Sequence, residues 1–279
     1  MGDFRTEQDR WGLHRPSNDS AEVTLEVQQQ TPRRPRAHIS QFGTTVLHLK
    51  NPWMAVFWSF AFPGCGNLFQ GRLAKGLTLI CWELVVNNHA KVNLAIMHSL
   101  LGQFEMAKQV INTRWLLLYV SVYVYAMWDS YRGTVELNRH CILADREDST
   151  VKPMVLKSLD DNYLHRQNPV LAETFSLLAP GLGHLYVHKV KTGLFFIVWT
   201  IVVMYMSHTL QAVHYTMVGA FSMARQIVDM QWLMYLPSIY GFVLYDTYVS
   251  AVENTRLFEK VQSKYLRDTY QRHFSKIPL

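Results

Sequence analysis

The sequence has little charge and few cysteines. Charged residues make up 17% of its 279 residues, below the ~25% of an ordinary soluble domain, while apolar residues make up 49%. The three cysteines, Cys65, Cys81 and Cys141, have no metal-ligand spacing, and two of them lie in apolar segments, so a disulfide framework is not expected. The first fifty residues contain no apolar stretch long enough for a signal peptide, so we expect internal apolar segments to direct insertion.

The sequence also has no short catalytic motif. It contains no Walker loop, no Ser-His-Asp arrangement and no His-Glu-x-x-His motif, and no third ligand accompanies the His184 and His188 pair. We therefore predict a protein that is not an enzyme and that needs no cofactor or metal; an enzyme acting on lipid ranks third among the functions, because membrane-embedded sites often lack short motifs. The net charge of +6 comes from basic residues mixed with acids, which favours basic flanks beside a lipid bilayer over nucleic acid as a partner.

The chain repeats itself at an offset of 117 residues. Leu47–Arg139 (the first unit) aligns without a gap to Leu164–Arg256 (the second unit), and 31 of 93 positions are identical. The identities run through the whole alignment, from Leu47-His48 to Arg139. Chance similarity would not keep one register over this length, so the sequence predicts two copies of one structural unit.

Each unit contains three apolar segments in the same order. None of them alternates with a period of two, which favours helices over strands. They are Trp53–Phe62, Gly76–Val86 and Trp115–Tyr131 in the first unit, and Val170–Ala179, Gly193–Met206 and Trp232–Tyr248 in the second. The longer two of each unit are somewhat shorter than the ~20 residues of a spanning helix. A soluble, all-helical protein of two domains is therefore the alternative to a membrane protein.

The distribution of Lys and Arg separates two membrane topologies. If the short first segment of each unit does not cross the bilayer, each unit has two spans, the copies are parallel, and 23 of 27 basic residues lie on the cytoplasmic side. If it crosses, each unit has three spans, the copies are inverted, and only 18 lie there. The positive-inside rule favours the first arrangement, with the short segment re-entering or lying in the interface.

The predicted fold is thus all-α: a polytopic membrane protein of two tandem parallel repeats, each with a short half-membrane segment and two spanning helices. We expect it in the cell membrane with both termini in the cytoplasm. The predicted divisions are 1–46, a disordered cytoplasmic tail; 47–139, repeat 1; 140–163, a cytoplasmic linker; 164–256, repeat 2; and 257–279, a cytoplasmic C-terminal tail.

A Pro-Gly-x-Gly turn follows the first apolar segment of each unit. Gly64, Gly66, Gly181 and Gly183 permit positive φ and close backbone approach, and each proline ends the helix before it. Together with the preceding Asn-Pro and the following basic loop, the turn resembles TM2-domain-like bacterial membrane modules with a Pro-Gly-x-Gly-x-Leu-Tyr pattern. The second copy, at Pro180–Tyr186, is the closer match. The resemblance implies a membrane location and a module of paired helices, and it carries no single activity.

Two aspartates recur at matching positions in the last apolar segments. Asp129 and Asp246 are predicted near the cytoplasmic ends of these helices, where the basic loops carry Arg72 and Lys189. We expect a structural clamp in each unit, from Asp129 to Arg72 and from Asp246 to Lys189 or to the glycine amides. A solvated charge at a helix end is the alternative.

Two carboxylates in apolar segments have no counterpart in the other unit. Glu83 aligns with Thr200, and Glu173 aligns with Val56. They are the candidate functional carboxylates of a small transporter or channel with a site between the two units. The favoured function is a non-enzymatic membrane protein that scaffolds or regulates a complex with a membrane or cytoplasmic partner. An oligomer is compatible with either function.

Overall fold

The structure is a computed structural model that describes residues 34–40, 42–147, 151, 154–155 and 162–271. This part of the chain is mostly helical, in agreement with the all-α prediction, and adds two small antiparallel sheets. The helices of the first unit are α1 (Pro52–Ala61), α2 (Cys65–Phe69), α3 (Leu73–Ala90), α4 (Val92–Leu100), α5 (Phe104–Val110) and α6 (Thr113–Arg146). Those of the second are α7 (Pro169–Leu178), α8 (Leu182–Tyr186), α9 (Val190–Met206), α10 (Thr209–Met217), α11 (Phe221–Ile227), α12 (Met230–Leu233) and α13 (Tyr235–Leu266), before a π-helical turn at Arg267–Gln271.

The first residues of α1 to α6 and of α7 to α12 differ by 117 positions in every case, which is the offset of the sequence alignment. The same local signals begin the paired helices. Asn51 and Asn168 each accept a hydrogen bond from the backbone N–H two residues later, and a proline occupies the first helical position after each of them. The last helix differs: α6 is continuous, whereas its counterpart breaks between α12 and α13. Pro237, which has no N–H and crowds the carbonyl of Leu233, accounts for this break.

Regular elements extend into the segments predicted as tails and linker. Within the predicted disordered tail, β1 (Ala37–Ser40) pairs antiparallel with β2 (Gly43–Val46), and the β-branched run Thr44-Thr45-Val46 favours the extended conformation of β2. Within the predicted linker, α6 continues to Arg146 and β3 (Met154–Val155) pairs with β4 (Asn162–Tyr163). Helix α13 likewise extends into the predicted C-terminal tail. Residues 1–33 lie outside the described residues.

The core joins the two units. Its buried members come from α1 to α3 of the first unit and from α9 and α13 of the second: Ala55, Trp58, Phe62, Cys65, Leu68, Phe69, Ile80, Phe196, Trp199, Val203, Tyr235, Ile239, Phe242 and Val243. Trp58 meets the Phe242 ring edge-on at 5.5 Å between centroids, and Phe62 meets Tyr235 in the same way at 5.8 Å. Edge-to-face aromatic pairs at these distances are favourable beyond the area they bury. The two units are therefore packed together as one body.

Within the described residues, no single helix combines the length and hydropathy needed to cross a bilayer. Three pairs of consecutive helices reach that threshold only when taken together, and each pair is bent. The pairs are Phe104–Val110 with Thr113–Arg146, bent by 93°; Val190–Met206 with Thr209–Met217, bent by 63°; and Phe221–Ile227 with Met230–Tyr270, bent by 82°.

Candidate functional site

The Pro-Gly-x-Gly turns bring backbones into close contact. Gly64 and Gly181 have φ of +100° and +106°, the left-handed region that favours glycine. A Cβ on either would lie 2.5 Å from the carbonyl oxygen of Gly76 or Gly193, in the helix that follows the turn. Gly66 and Gly183 leave no room for a Cβ either, because each faces a backbone carbonyl and a serine hydroxyl of the preceding short helix. The absence of side chains at these glycines allows the short first helix of each unit and the turn to pack closely against the helix that follows.

In the second unit, the carboxylate of Asp246 is the centre of a buried polar cluster. Lys189 Nζ donates a hydrogen bond of 2.8 Å to Asp246 Oδ2, the contact expected from the sequence. The fully buried imidazole of His184 places Nε2 3.0 Å from the same oxygen. Asp246 is only 2% exposed, and such a charge is stable in the interior only when it is paired and hydrogen-bonded. The cluster ties the turn helix α8 and the basic loop to α13.

In the first unit, the predicted partner of Asp129 is wrong. Lys75 Nζ, not Arg72, donates to Asp129 Oδ1 at 2.6 Å, while Arg72 lies 3.8 Å from Glu136. The reason is that Arg72 lies before the first residue of α3 and faces a carboxylate seven residues further along α6, two helical turns from Asp129. Lys75 has no basic counterpart, since Thr192 occupies that position in the second unit.

Asp129 and Asp246 also lie elsewhere along their helices than predicted. Asp129 is about midway along α6, and Asp246 is in the interior of α13, because both helices continue well beyond their apolar segments.

In the first unit, Asn67 occupies the position that aligns with His184 in the second. It is fully buried, and neither of its amide atoms has a hydrogen-bond partner among the described residues. The first-unit cluster is thus incompletely paired.

Glu83 lies in a buried network that crosses between the units. Its Oε1 accepts hydrogen bonds from Asn87 Nδ2 at 2.8 Å and from the Tyr119 hydroxyl at 3.2 Å. The Gln231 amide of the second unit donates to Asn87 Oδ1 at 2.8 Å. Asn93 extends the network, because its Nδ2 donates to the Gln231 carbonyl at 3.0 Å. Glu83 therefore has hydrogen-bonded partners on its own helix and on α6.

The two candidate carboxylates share no hydrogen-bond partner among the described residues. Glu173 is half-buried on α7 and has no hydrogen bond or ion pair with the described residues. Neither it nor Glu83 lines the two cavities, of about 280 and 290 Å³, that the structure places beside the strand β2. These positions give no geometric support to a transport site between the units.

A cluster of ion pairs joins the N-terminal segment to the far ends of both long helices. Arg34 pairs with Glu147, and Arg36 pairs with Asp145 at the end of α6. Lys260 of α13 reaches the same Asp145 carboxylate at 2.9 Å. The hydrogen bond from Lys260 and the positive charge of Arg36 lower the pKa of Asp145 below its usual 3.8. We call this cluster, with the two strand pairs, the head.

Several of these residues carry little signal in the sequence. The spacing of His184 and His188 indicates at most a weak metal pair, whereas the place of His184 between the turn glycine Gly183 and the basic loop is a signal for its contact with Asp246. Gln231, Asn87 and Asn93 belong to no motif.

No protein-family model, curated protein or solved structure matches this chain. The geometry of the described residues is therefore the basis for its proposed function.

Proposed function

We propose that the chain is a multi-pass membrane protein that displays the head on the cytoplasmic side as a scaffold for a membrane or cytoplasmic protein partner. In this proposal two parallel tandem units each contribute two spans. Three of the four spans correspond to the bent helix pairs, the fourth lies at α3, and the short helices α1 and α7 do not cross. Both termini lie on the side of the head.

The observation that carries the membrane assignment is the apolar outer surface of the long helices. Large apolar side chains cover the outside of the long helices, where a soluble protein would carry charge. At least half exposed are Val85, Leu117, Val120, Val124, Trp128, Leu194, Val198, Ile201 and Tyr205. The buried interior at the same level holds Glu83, Asn87, Asn93 and Gln231, with exposed fractions of at most 8%. Lipid is the solvent for which this arrangement is favourable, because ionisable groups then face the protein interior.

The scaffold assignment is supported by the head. It combines the β1–β2 hairpin, the β3–β4 pair and the ends of α6 and α13, so parts of both units and of the N-terminal segment meet in one folded surface. Such a surface fixes the positions of exposed side chains such as Met154 and Tyr163, which are 53% and 50% exposed. A fixed, partly apolar surface is suited to protein binding.

Two measurements test the two parts of the proposal. Tryptophan fluorescence in vesicles with brominated acyl chains should be quenched, and Trp128→Tyr should reduce the quenching more than replacement of a buried tryptophan, Trp58→Tyr. Absence of quenching, with release of the chain into alkaline carbonate, would contradict the membrane assignment.

The scaffold assignment is tested by photo-crosslinking in native membranes. A photo-crosslinking residue at Tyr163 should capture a discrete partner, whereas one at the exposed Leu100, distant from the head in the chain, should not. Equal capture at both positions would contradict it.

A further inference from the structure

A cavity of about 280 Å³ opens between the β1–β2 hairpin and the start of α9. Sites for small molecules usually have volumes of ~300–1,000 Å³, so this cavity suits a group of headgroup size. It belongs to neither aspartate cluster nor to the Glu83 network, although Lys189 borders it. The residues of its wall that matter here are His38, Thr45, Lys189, Lys191 and Thr192.

Two lysines of the second unit and His38 of β1 line the cavity. Lys189 is already paired with Asp246, so the positive charge without an ion-pair partner among the described residues is that of Lys191. The carboxylate in the wall, Glu253, is already paired with Arg256 at 2.7 Å. Burial, followed by the charges of Lys50 and Lys189, lowers the pKa of His48, which also lines the cavity, to about 3. Its imidazole is therefore neutral at physiological pH, in surroundings that oppose a further positive charge.

Several donors at the cavity are uncommitted. The hydroxyls of Thr45 and Thr192 and the ammonium of Lys191 form no hydrogen bond with the described residues; Lys191 lies over the Phe42 ring at 5.9 Å. No side chain in the described part of the chain caps α9, a helix of 17 residues, so the N–H groups of its first turn, at Lys191 and Thr192, are also uncapped there. Lysine, hydroxyl and first-turn N–H donors together suit the oxygens of a phosphate.

We propose that this cavity binds a phosphate group, carried by a lipid headgroup or by a soluble small molecule, through Lys191, Thr192 and the first turn of α9. The lipid source rests on the proposed membrane location, because the cavity then lies at the cytoplasmic surface with the head. The soluble source does not depend on that location.

The test uses the full chain purified in a maltoside detergent, which carries no phosphate group. In one arm, inorganic phosphate is titrated by calorimetry; in the other, native mass spectrometry measures retained phosphatidic acid. Lys191→Gln should weaken binding about tenfold, since a hydrogen bond to a charged group contributes that much. Thr192→Val should also weaken it, and Lys191→Arg should keep it. The matched control is Lys108→Gln, which removes the same charge from an exposed ion pair on α5.

Binding in either arm with this order of variants supports the proposal, and the arm that binds identifies the source. The proposal is overturned if neither probe binds, or if Lys191→Gln and Lys108→Gln lose the same affinity. If inorganic phosphate binds to a chain that alkaline carbonate releases from membranes, the membrane assignment fails and the phosphate site stands.

Discussion

Gln231 donates a 2.8 Å hydrogen bond to Asn87, so an amide of the second unit completes the buried network around Glu83 in the first. Every member of this network on the helices α3, α4 and α12 differs between the units: Glu83, Asn87, Asn93 and Gln231 align with Thr200, Met204, Leu210 and Arg114. Residues that differ between the two units therefore form the hydrogen bonds that join one unit to the other.

Replacing Gln231 by leucine should destabilise the protein. The substitution removes a hydrogen-bond partner from the buried Asn87 amide and from the backbone N–H of Leu94, which costs about 1–3 kcal/mol of the free energy of unfolding. Unfolding by sodium dodecyl sulfate in mixed micelles measures this change. Gln226→Leu, at an exposed position of α11, is the control and should change the free energy little. Equal stability of the Gln231→Leu variant and the wild type would show that the network does not join the units.

Removal of the charge at Asp246 should cost more than the same change at Asp129. Asp246 is 2% exposed and has two partners, and breaking a buried ion pair costs about 3–5 kcal/mol. The Asp129 pair is weaker, because the Lys75 side chain is 37% exposed, and about 1 kcal/mol is expected there. Asp246→Asn and Asp129→Asn can be compared by the same micellar unfolding. The reverse order would contradict the assigned geometry.

The third prediction concerns His184 and its counterpart Asn67. His184→Asn removes the hydrogen bond to Asp246 and should destabilise the protein by about 1–3 kcal/mol. Asn67→Leu should be neutral or stabilising, since an apolar side chain of similar size replaces a buried amide without partners. Thermal unfolding followed by circular dichroism in detergent distinguishes the two. Strong destabilisation by Asn67→Leu would show that the Asn67 amide forms hydrogen bonds in the folded protein, which contradicts the prediction.

The head should loosen in acid. The pKa of Asp145 is lowered in the folded protein, so its contribution to stability is present above the unfolded value of 3.8 and is lost as the pH falls through the folded value. Hydrogen exchange of the β1–β2 hairpin, corrected for intrinsic rates, should therefore lose protection below pH 3.8. Asp145→Asn should show weaker protection with a smaller dependence on pH. An unchanged acid response in the variant would assign the effect to another group.

Much of the helical architecture follows from local sequence. The Asn-Pro starts, the Pro-Gly-x-Gly turns and the repeat at 117 residues predict where α1 to α3 and α7 to α9 begin, because capping and positive φ depend on one or two residues. The β1–β2 hairpin was missed because two four-residue strands in a polar segment carry little periodic signal.

The contacts of the candidate site were harder to predict. Which lysine or arginine reaches Asp129 depends on the side-chain direction at the start of α3, which spacing alone does not give. The network of Glu83 with Gln231 needs side chains 148 positions apart in the chain, and no repeat-matched pattern marks them. The sequence marks Glu83 as a carboxylate without a counterpart in the other unit, whereas its hydrogen-bond partners depend on how the helices and the two units pack.

The central claim, two parallel units in a bilayer, is tested most directly by labelling equivalent positions from one side of the membrane. Single cysteines at Glu105 and Ser222, which are 117 positions apart on α5 and α11, and at Ser263 near the end of α13 are introduced into a cysteine-free chain. An impermeant maleimide added to right-side-out vesicles should label Glu105→Cys and Ser222→Cys, and should leave Ser263→Cys unlabelled until the vesicles are opened. Labelling of only one of the two equivalent positions in sealed vesicles would show inverted units and contradict the account.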